Sequence, residues 1–334
     1  MNFYKILQLN KRIKNHRIKF LGLYILHKFN KRYLSVNLDP VLACNLRCKM
    51  CYFTDKDYVK KLKGQFKQEE LERVAEVVFP RALKLQVGCG TEPTLYKRLP
   101  ELIALGKRNK VPYISLTTNA NLLTEDSIED LVKAGLNEFT ISLHGVTKKT
   151  YESFMGKGDY EKFQNALNLL GKYKKKYDFK VRVNYTFNKD NFYELEDFFD
   201  NFNPESMDFL QIRPIRKIGN TEYNNFDISS LVEDYPKVMK KIEGTCKSNK
   251  ITLLAPNSIL SSKKVNEASF IYDYTFCYVS PISFWKDGFN WREETFNDFS
   301  KRIGWGKLLL ANVFKSKKEF TETSGRLDYE VNFN

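Results

Sequence analysis

Residues 33–52 read YLSVNLDPVLACNLRCKMCY. The first six, Tyr33–Leu38, are apolar and β-branched in the manner of a strand. The loop that follows carries Cys44, Cys48 and Cys51 at the spacing C-x3-C-x2-C. A strand that ends in a loop of chemically active side chains is the first unit of a pattern that then repeats along the chain.

Downstream, apolar runs alternate with segments of helical period. The spacing predicts helices over 68–79, 100–107, 124–134, 160–173, 191–199 and 229–246, and strands over 83–87, 111–116, 138–143, 179–186 and 207–212. In the first helix Leu71, Val74, Ala75 and Val78 share a face and Pro80 stops it; in the third, Thr124 is the N-cap and Gly135 lies just past the end. Strands alternating with helices at this distance make βαβ units and a parallel sheet. Six units exceed a small flavodoxin-like domain and predict an α/β fold, a partial (β/α)6 TIM-type barrel. In such barrels the chemistry sits on loops after the C-terminal ends of the strands.

Three regions are expected: a basic N-terminal arm over 1–33, the core barrel over 34–249, and a C-terminal extension over 250–334 that is rich in aromatics and loops, with short strands such as Ile251 to Leu254. The formal charge is +15, and the arm holds nine Lys and Arg with no acid, the first being Asp39. That charge suggests an anionic surface as partner; the alternative is a solvated basic helix covering one end of the fold. No run of 18 apolar residues appears, so no transmembrane segment is expected. The apolar stretch from Phe20 to His27 is too short for a signal-peptide core. Six cysteines, three of them clustered, point to metal in a reducing compartment rather than to a disulfide framework. The expected location is cytoplasmic, with peripheral membrane contact through the arm as an option.

The three clustered cysteines leave two chemistries open. Structural zinc requires four ligands, and a fourth would have to come from Cys89 or His144. Three thiolates suit a [4Fe–4S] cubane whose fourth iron stays free to take an amino acid chelate.

The string Cys44-Asn45-Leu46-Arg47-Cys48-Lys49-Met50-Cys51-Tyr52 resembles the radical S-adenosylmethionine (SAM) superfamily. The resemblance covers 34–215 well and 250–315 loosely. It implies an enzyme in which Cys44, Cys48 and Cys51 hold one [4Fe–4S] cluster, and SAM is split reductively to a 5′-deoxyadenosyl radical that abstracts hydrogen from a substrate. Gly88-Cys89-Gly90-Thr91-Glu92-Pro93 is similar to the family's Gly-Gly-Glu-Pro loop. By that likeness Gly88, Gly90, Thr91 and Glu92 receive the methionine end of SAM. Cys89 and Thr91 depart from the usual string. Thr117-Thr118-Asn119-Ala120 resembles the Thr-Asn-Gly corner, which brings in Asn119. Ser142-Leu143-His144-Gly145 resembles a Ser-Leu-Asp-Gly string, with Ser142 near the ribose and His144 in place of the acid. Asn184 and Arg213 fall where relatives contact ribose, carboxylate or the adenine edge. Met50 stands where an aromatic is usual, and its thioether can still cover an adenine ring. No further catalytic residue is assigned.

The segment from Phe276-Cys277-Tyr278 to Trp285-Lys286-Asp287-Gly288 resembles the start of a SPASM/twitch extension. Its later cysteines are missing, so no auxiliary cluster is expected. The implied partners are a reductant such as flavodoxin or ferredoxin and a substrate that the sequence does not identify, a peptide or a sugar or polysaccharide precursor being the options. Two other classes stand beside this one. A metal-containing nucleic-acid-binding protein would use the arm's basic and aromatic residues. A membrane-surface enzyme would lay the arm on anionic lipid, although the spacing of Leu21, Leu23, Tyr24 and Leu26 is not a clean amphipathic stripe.

Overall fold

The chain is seen in a computed structural model that describes residues 3–217, 219–259, 270–282, 288–316, 318–321 and 330–332. All six expected strands are present: β1 (Leu34–Leu38), β2 (Ala82–Val87), β3 (Tyr113–Thr118), β4 (Glu138–Leu143), β5 (Lys180–Phe187) and β6 (Phe209–Pro214). Three more, β7 (Thr252–Ala255), β8 (Phe276–Val279) and β9 (Glu330–Asn332), complete one sheet in the order β8-β1-β2-β3-β4-β5-β6-β7-β9. Strands β1 to β8 pair in parallel, and β9 joins antiparallel beside β7. The segment beyond residue 250, expected as an extension, therefore supplies strands to both edges of the barrel sheet. Cys277 lies in register with Val36 and is wholly buried. Of the segment that resembles a SPASM/twitch extension, residues 283–287 lie outside the described residues.

The strands are buried on both faces, as a parallel sheet covered by helices requires. Helix α3 (Gln68–Val78) buries Leu71, Val74, Ala75 and Val78, the predicted face. Each large aliphatic side chain so buried contributes about 1.5–3 kcal/mol. Helix α5 (Glu125–Lys133) follows α4 (Leu99–Arg108) and is capped as predicted, Thr124 accepting from the Ser127 N–H. The helix expected over 191–199 is instead a 3-10 turn at Tyr193–Asp197 and one α-turn at Phe198–Asn201. There the Asn191 side chain donates to the carbonyls of His144 and Thr186, which ties the segment to the strand ends before a longer helix can start.

The N-terminal arm forms α1 (Phe3–Arg12) and α2 (His16–Lys28). Tyr4 closes the end of the barrel where the strands begin: its ring stacks on Phe209 at 4.3 Å and it is buried among Tyr113, Phe209 and Leu254. Phe20 and Leu23 of α2 join the main core. Helix α8 (Trp305–Phe314) packs beside α2, antiparallel to it: Gly306 lies against Tyr24 and His27, and the Lys315 carbonyl against His16 Nε2. The arm thus covers one end of the fold.

Candidate active site

At the C-terminal ends of β1 to β6 the loops enclose a cavity of about 710 Å³. Its wall is built strand by strand. Cys44, Cys48, Met50, Cys51 and Tyr52 come from the loop after β1, and Cys89, Gly90, Thr91 and Glu92 from the loop after β2. Thr117, Thr118 and Asn119 come from the end of β3, Ser142 and His144 from β4, Thr186 from β5, and Arg213 and Arg216 from β6.

The cysteine loop is held by its own backbone. The Arg47 guanidinium donates to the carbonyls of Cys44 at 2.8 Å and Leu46 at 2.7 Å. Arg47 and Cys48 form a short antiparallel ladder with Met155 and Gly156. Asn119 Nδ2 donates to Asn45 Oδ1 at 2.8 Å, and the Glu92 N–H to the Ala43 carbonyl at 2.9 Å, which ties this loop to the next two.

The three thiols are free of disulfides. Burial pushes Cys44 up to about 12 and raises Cys48 and Cys51, and the closeness of Cys51 and Cys44 adds to the rise at Cys48. Burial thus opposes the thiolate form at all three, and a bound cation would favour it. Among the described residues no three His, Cys, Asp or Glu side chains converge as the ligands of a single ion would. A structural zinc needs that convergence. A cubane does not, because each thiolate takes a separate iron. Three thiolates fit a [4Fe–4S] cluster with one iron left open, whereas a structural zinc would need a fourth ligand.

The loop after β2 is shaped from beneath. Gly88 has φ +80°, and a Cβ there would stand 2.4 Å from the Thr117 carbonyl oxygen. A Cβ on Gly90 would meet the Tyr52 hydroxyl at 2.4 Å. Gly88 is closed to larger residues, and at Gly90 the Tyr52 side chain would have to shift. Asp39, wholly buried just past β1, accepts from the Cys89 N–H at 2.7 Å and the Gly90 N–H at 3.1 Å, and from the Tyr278 hydroxyl at 2.8 Å. Glu92 is buried as well. Its Oε1 accepts from Thr94 Oγ1 at 2.6 Å, Thr118 Oγ1 at 2.7 Å and the Thr94 N–H at 3.1 Å, and its Oε2 from the Asn119 N–H at 2.8 Å. Burial raises its carboxyl despite these donors. Oε1 is thus saturated by the protein, whereas Oε2 has a single donor on a residue that lines the cavity.

His144 is held low, down to about 4, by burial and then by Arg213, so it is neutral near pH 7. Its Nδ1 is buried without a hydrogen-bond partner. Arg213 Nε donates to Thr186 Oγ1 at 3.1 Å. Met50 Sδ accepts from Asn188 Nδ2 at 3.2 Å.

Of the residues predicted from sequence, the structure brings Cys44, Cys48, Cys51, Met50, Gly90, Thr91, Glu92, Asn119, Ser142 and Arg213 to one wall. Gly88 and Asn184 are not among the lining residues. Gly88 lies packed under the loop, and Asn184, paired in register with Ser142, is buried in the sheet. Asp39, Thr186, Arg216 and Tyr272 belong to the site or its support without having been predicted. Asp39 carried a signal, being the first acid in the chain and placed at the end of the first strand.

Residues 39–201 match the family profile described as the Radical SAM superfamily. The chain is 27% identical over 220 residues to a probable GTP 3′,8-cyclase of Methanococcus vannielii, covering 64% of this chain and 70% of that one. It is 30% identical over 202 residues to the GTP 3′,8-cyclase of Clostridium botulinum, covering 59% of this chain and 61% of the relative, so it spans less than two thirds of that protein. In fold it is similar to Streptococcus suis SuiB bound to its precursor peptide SuiA, with a TM-score of 0.61 at 17% identity over 95% of this chain and 73% of that one.

Proposed function

We propose that the chain, whose residues 39–201 match the Radical SAM superfamily, is an enzyme that uses SAM and a [4Fe–4S] cluster, with Cys44, Cys48 and Cys51 holding that cluster in the strand-end cavity, where SAM is cleaved to abstract hydrogen from an anionic organic substrate. The observation that carries this reading is the meeting of the three-cysteine loop, the Glu92 loop and the Ser142–His144 strand end in one cavity. The cluster, when bound, supplies the electron that splits SAM into methionine and a 5′-deoxyadenosyl radical.

The chain's own residues do the rest. Glu92 offers Oε2 to the ammonium of SAM while Thr94, Thr118 and Asn119 fix its orientation. Asp39 holds the Cys89 and Gly90 N–H groups, which leaves the Gly90 backbone as a close floor for the methionine end. Met50 gives an apolar wall for the adenine, and Ser142 a hydroxyl for the ribose. Arg213 and Arg216 line the side after β6, and two guanidinium groups there suit a carboxylate or phosphate on the substrate. The relatives named GTP 3′,8-cyclase act, by that name, on a nucleotide. A peptide acid and a sugar phosphate carry the same kind of charge.

The test is anaerobic reconstitution with iron and sulfide, followed by a strong reductant and SAM. The wild type is expected to bind about four irons per chain and to release 5′-deoxyadenosine. Cys48→Ala is expected to do neither. Iron retained in full by Cys48→Ala rejects the cluster assignment. Arg216→Ala is expected to keep uncoupled 5′-deoxyadenosine release while losing its stimulation by substrate; unchanged stimulation rejects the anionic-substrate reading.

A further inference from the structure

Helix α2 is apolar on two opposite sides. Phe20 and Leu23 point into the core. On the other side Ile18 is 55% exposed, Leu21 44%, Ile25 47% and Phe29, just past the helix, 64%. These four recur at intervals of three and four residues and form one outward stripe. The sequence pattern looked untidy because the two apolar faces overlap on one helix. A helix with two apolar faces needs two apolar partners, and the barrel supplies one.

Charge says what the other partner is. Lys14, Arg17 and Lys28 are exposed around the stripe, Lys5, Arg12 and Lys31 are exposed elsewhere on the arm, and no acid occurs before Asp39. A second copy of the chain would bring the same cations against these, which disfavours self-association. A nucleic acid would meet the cations but offer nothing for four protruding aliphatic and aromatic side chains. An anionic bilayer offers phosphate to the cations and hydrocarbon to the stripe. Helix α8 adds exposed Leu310 and Phe314, with Leu310 one turn beyond the glycine that touches α2.

We propose that the outward face of α2, with the exposed edge of α8, is a docking surface for an anionic membrane, on which α2 lies flat. The arm sits at the end of the barrel where the strands begin, and the cavity opens at the opposite end.

The test is co-sedimentation of the full chain with vesicles of phosphatidylcholine and phosphatidylglycerol in equal parts, and with phosphatidylcholine alone. The wild type is expected to bind the mixed vesicles, to bind the neutral ones weakly, and to be released as salt rises. Leu21→Asp with Ile25→Asp is expected to lower binding by about a hundredfold, roughly tenfold for each aliphatic side chain removed from lipid. Lys14→Glu with Arg17→Glu is expected to lower it by about 25-fold or more, from about fivefold per cation. Both double variants are expected to melt with the wild type, since the altered side chains face out. No binding at low salt, equal binding to neutral vesicles, or full binding by either double variant overturns the proposal. If the aspartate variant melts early, the glutamate variant alone decides. Self-association that Leu21→Asp with Ile25→Asp abolishes, in a wild type that ignores vesicles, assigns the face to a second copy and also overturns it.

Discussion

Arg182 and Glu138 meet at 2.8 Å where the barrel begins, with the Glu138 carboxylate wholly buried. Tyr113 donates to the same carboxylate at 2.6 Å, Thr140 at 3.0 Å, and Tyr4 from the N-terminal arm donates as well. Burial alone would raise Glu138, but Arg182 and then Lys84 outweigh it and hold the carboxyl below its usual range. A group depressed in the folded state contributes its full stability above its unfolded pKa and loses it as pH falls through the folded one. Glu138→Gln is therefore expected to cost about 3–5 kcal/mol near neutral pH, because it leaves Arg182 buried beside no charge. Denaturant unfolding of both proteins checks this. The gap between them is expected to narrow once the pH drops below about 4. A loss below about 1 kcal/mol, the range of an exposed pair, contradicts the reading.

Glu92 both shapes its loop and is proposed to face SAM, and two substitutions separate the roles. Thr118→Val removes one of its donors and is expected to cost about 1 kcal/mol of stability with little change in SAM affinity. Glu92→Gln is expected to weaken SAM binding on the order of tenfold by removing the charge opposite the ammonium. Calorimetric titration and a thermal melt on each variant give both quantities. Equal SAM affinity in Glu92→Gln and the wild type removes Glu92 from the ligand's surroundings.

His144 titrates at about 4 in the fold, below its ordinary range, because burial and Arg213 oppose its charge. Its contribution is thus complete above about pH 6.5 and is lost as pH falls from there toward 4, at up to about 1.4 kcal/mol per pH unit. His144→Gln is expected to remove this part of the slope. His27, also held near 4 by burial and Arg81, stays in both proteins and cancels in the difference. Parallel stability-versus-pH curves for the two proteins refute the assignment.

Cys277 is buried in a strand beside β1, and burial raises its thiol. Cys277→Ala is expected to keep all the iron of the reconstituted wild type and to lose about 1–2 kcal/mol of stability from the small void it leaves. Iron analysis and a melt suffice. Iron lost selectively from this variant, with the melting temperature unchanged, gives Cys277 a role in metal binding.

The barrel was legible because its strands and helices obey two plain periods, and because Thr124 and Pro80 mark helix ends in ways that depend on neighbouring backbone alone. The strand-end positions were legible for a similar reason: the cysteines and Glu92 lie on loops just after strands, and Ser142 lies at the end of one. What stayed hidden depends on distant pairing. Phe276–Val279 resembles the start of a SPASM/twitch extension, and only its register with Ser35–Leu38 shows it to be a strand of the main sheet. Asp39 gains its place from Tyr278, 239 residues away. Arg216 lies past the end of β6, where no periodicity speaks for it. The 191–199 segment has helical spacing, but the Asn191 side-chain bonds override it.

The pairing of β8 with β1 also bears on how the molecule is made. Synthesis releases β1 first, with the cysteine loop attached, and its outer edge has no neighbour until residues 276–279 leave the ribosome. Through most of translation that edge is an open row of backbone donors and acceptors. The same delay leaves Asp39 without Tyr278, so the floor under the Cys89–Gly90 turn is completed late. The support of the Cys89–Gly90 turn, and with it one part of the cavity wall, is therefore complete only when residues 276–279 have been made.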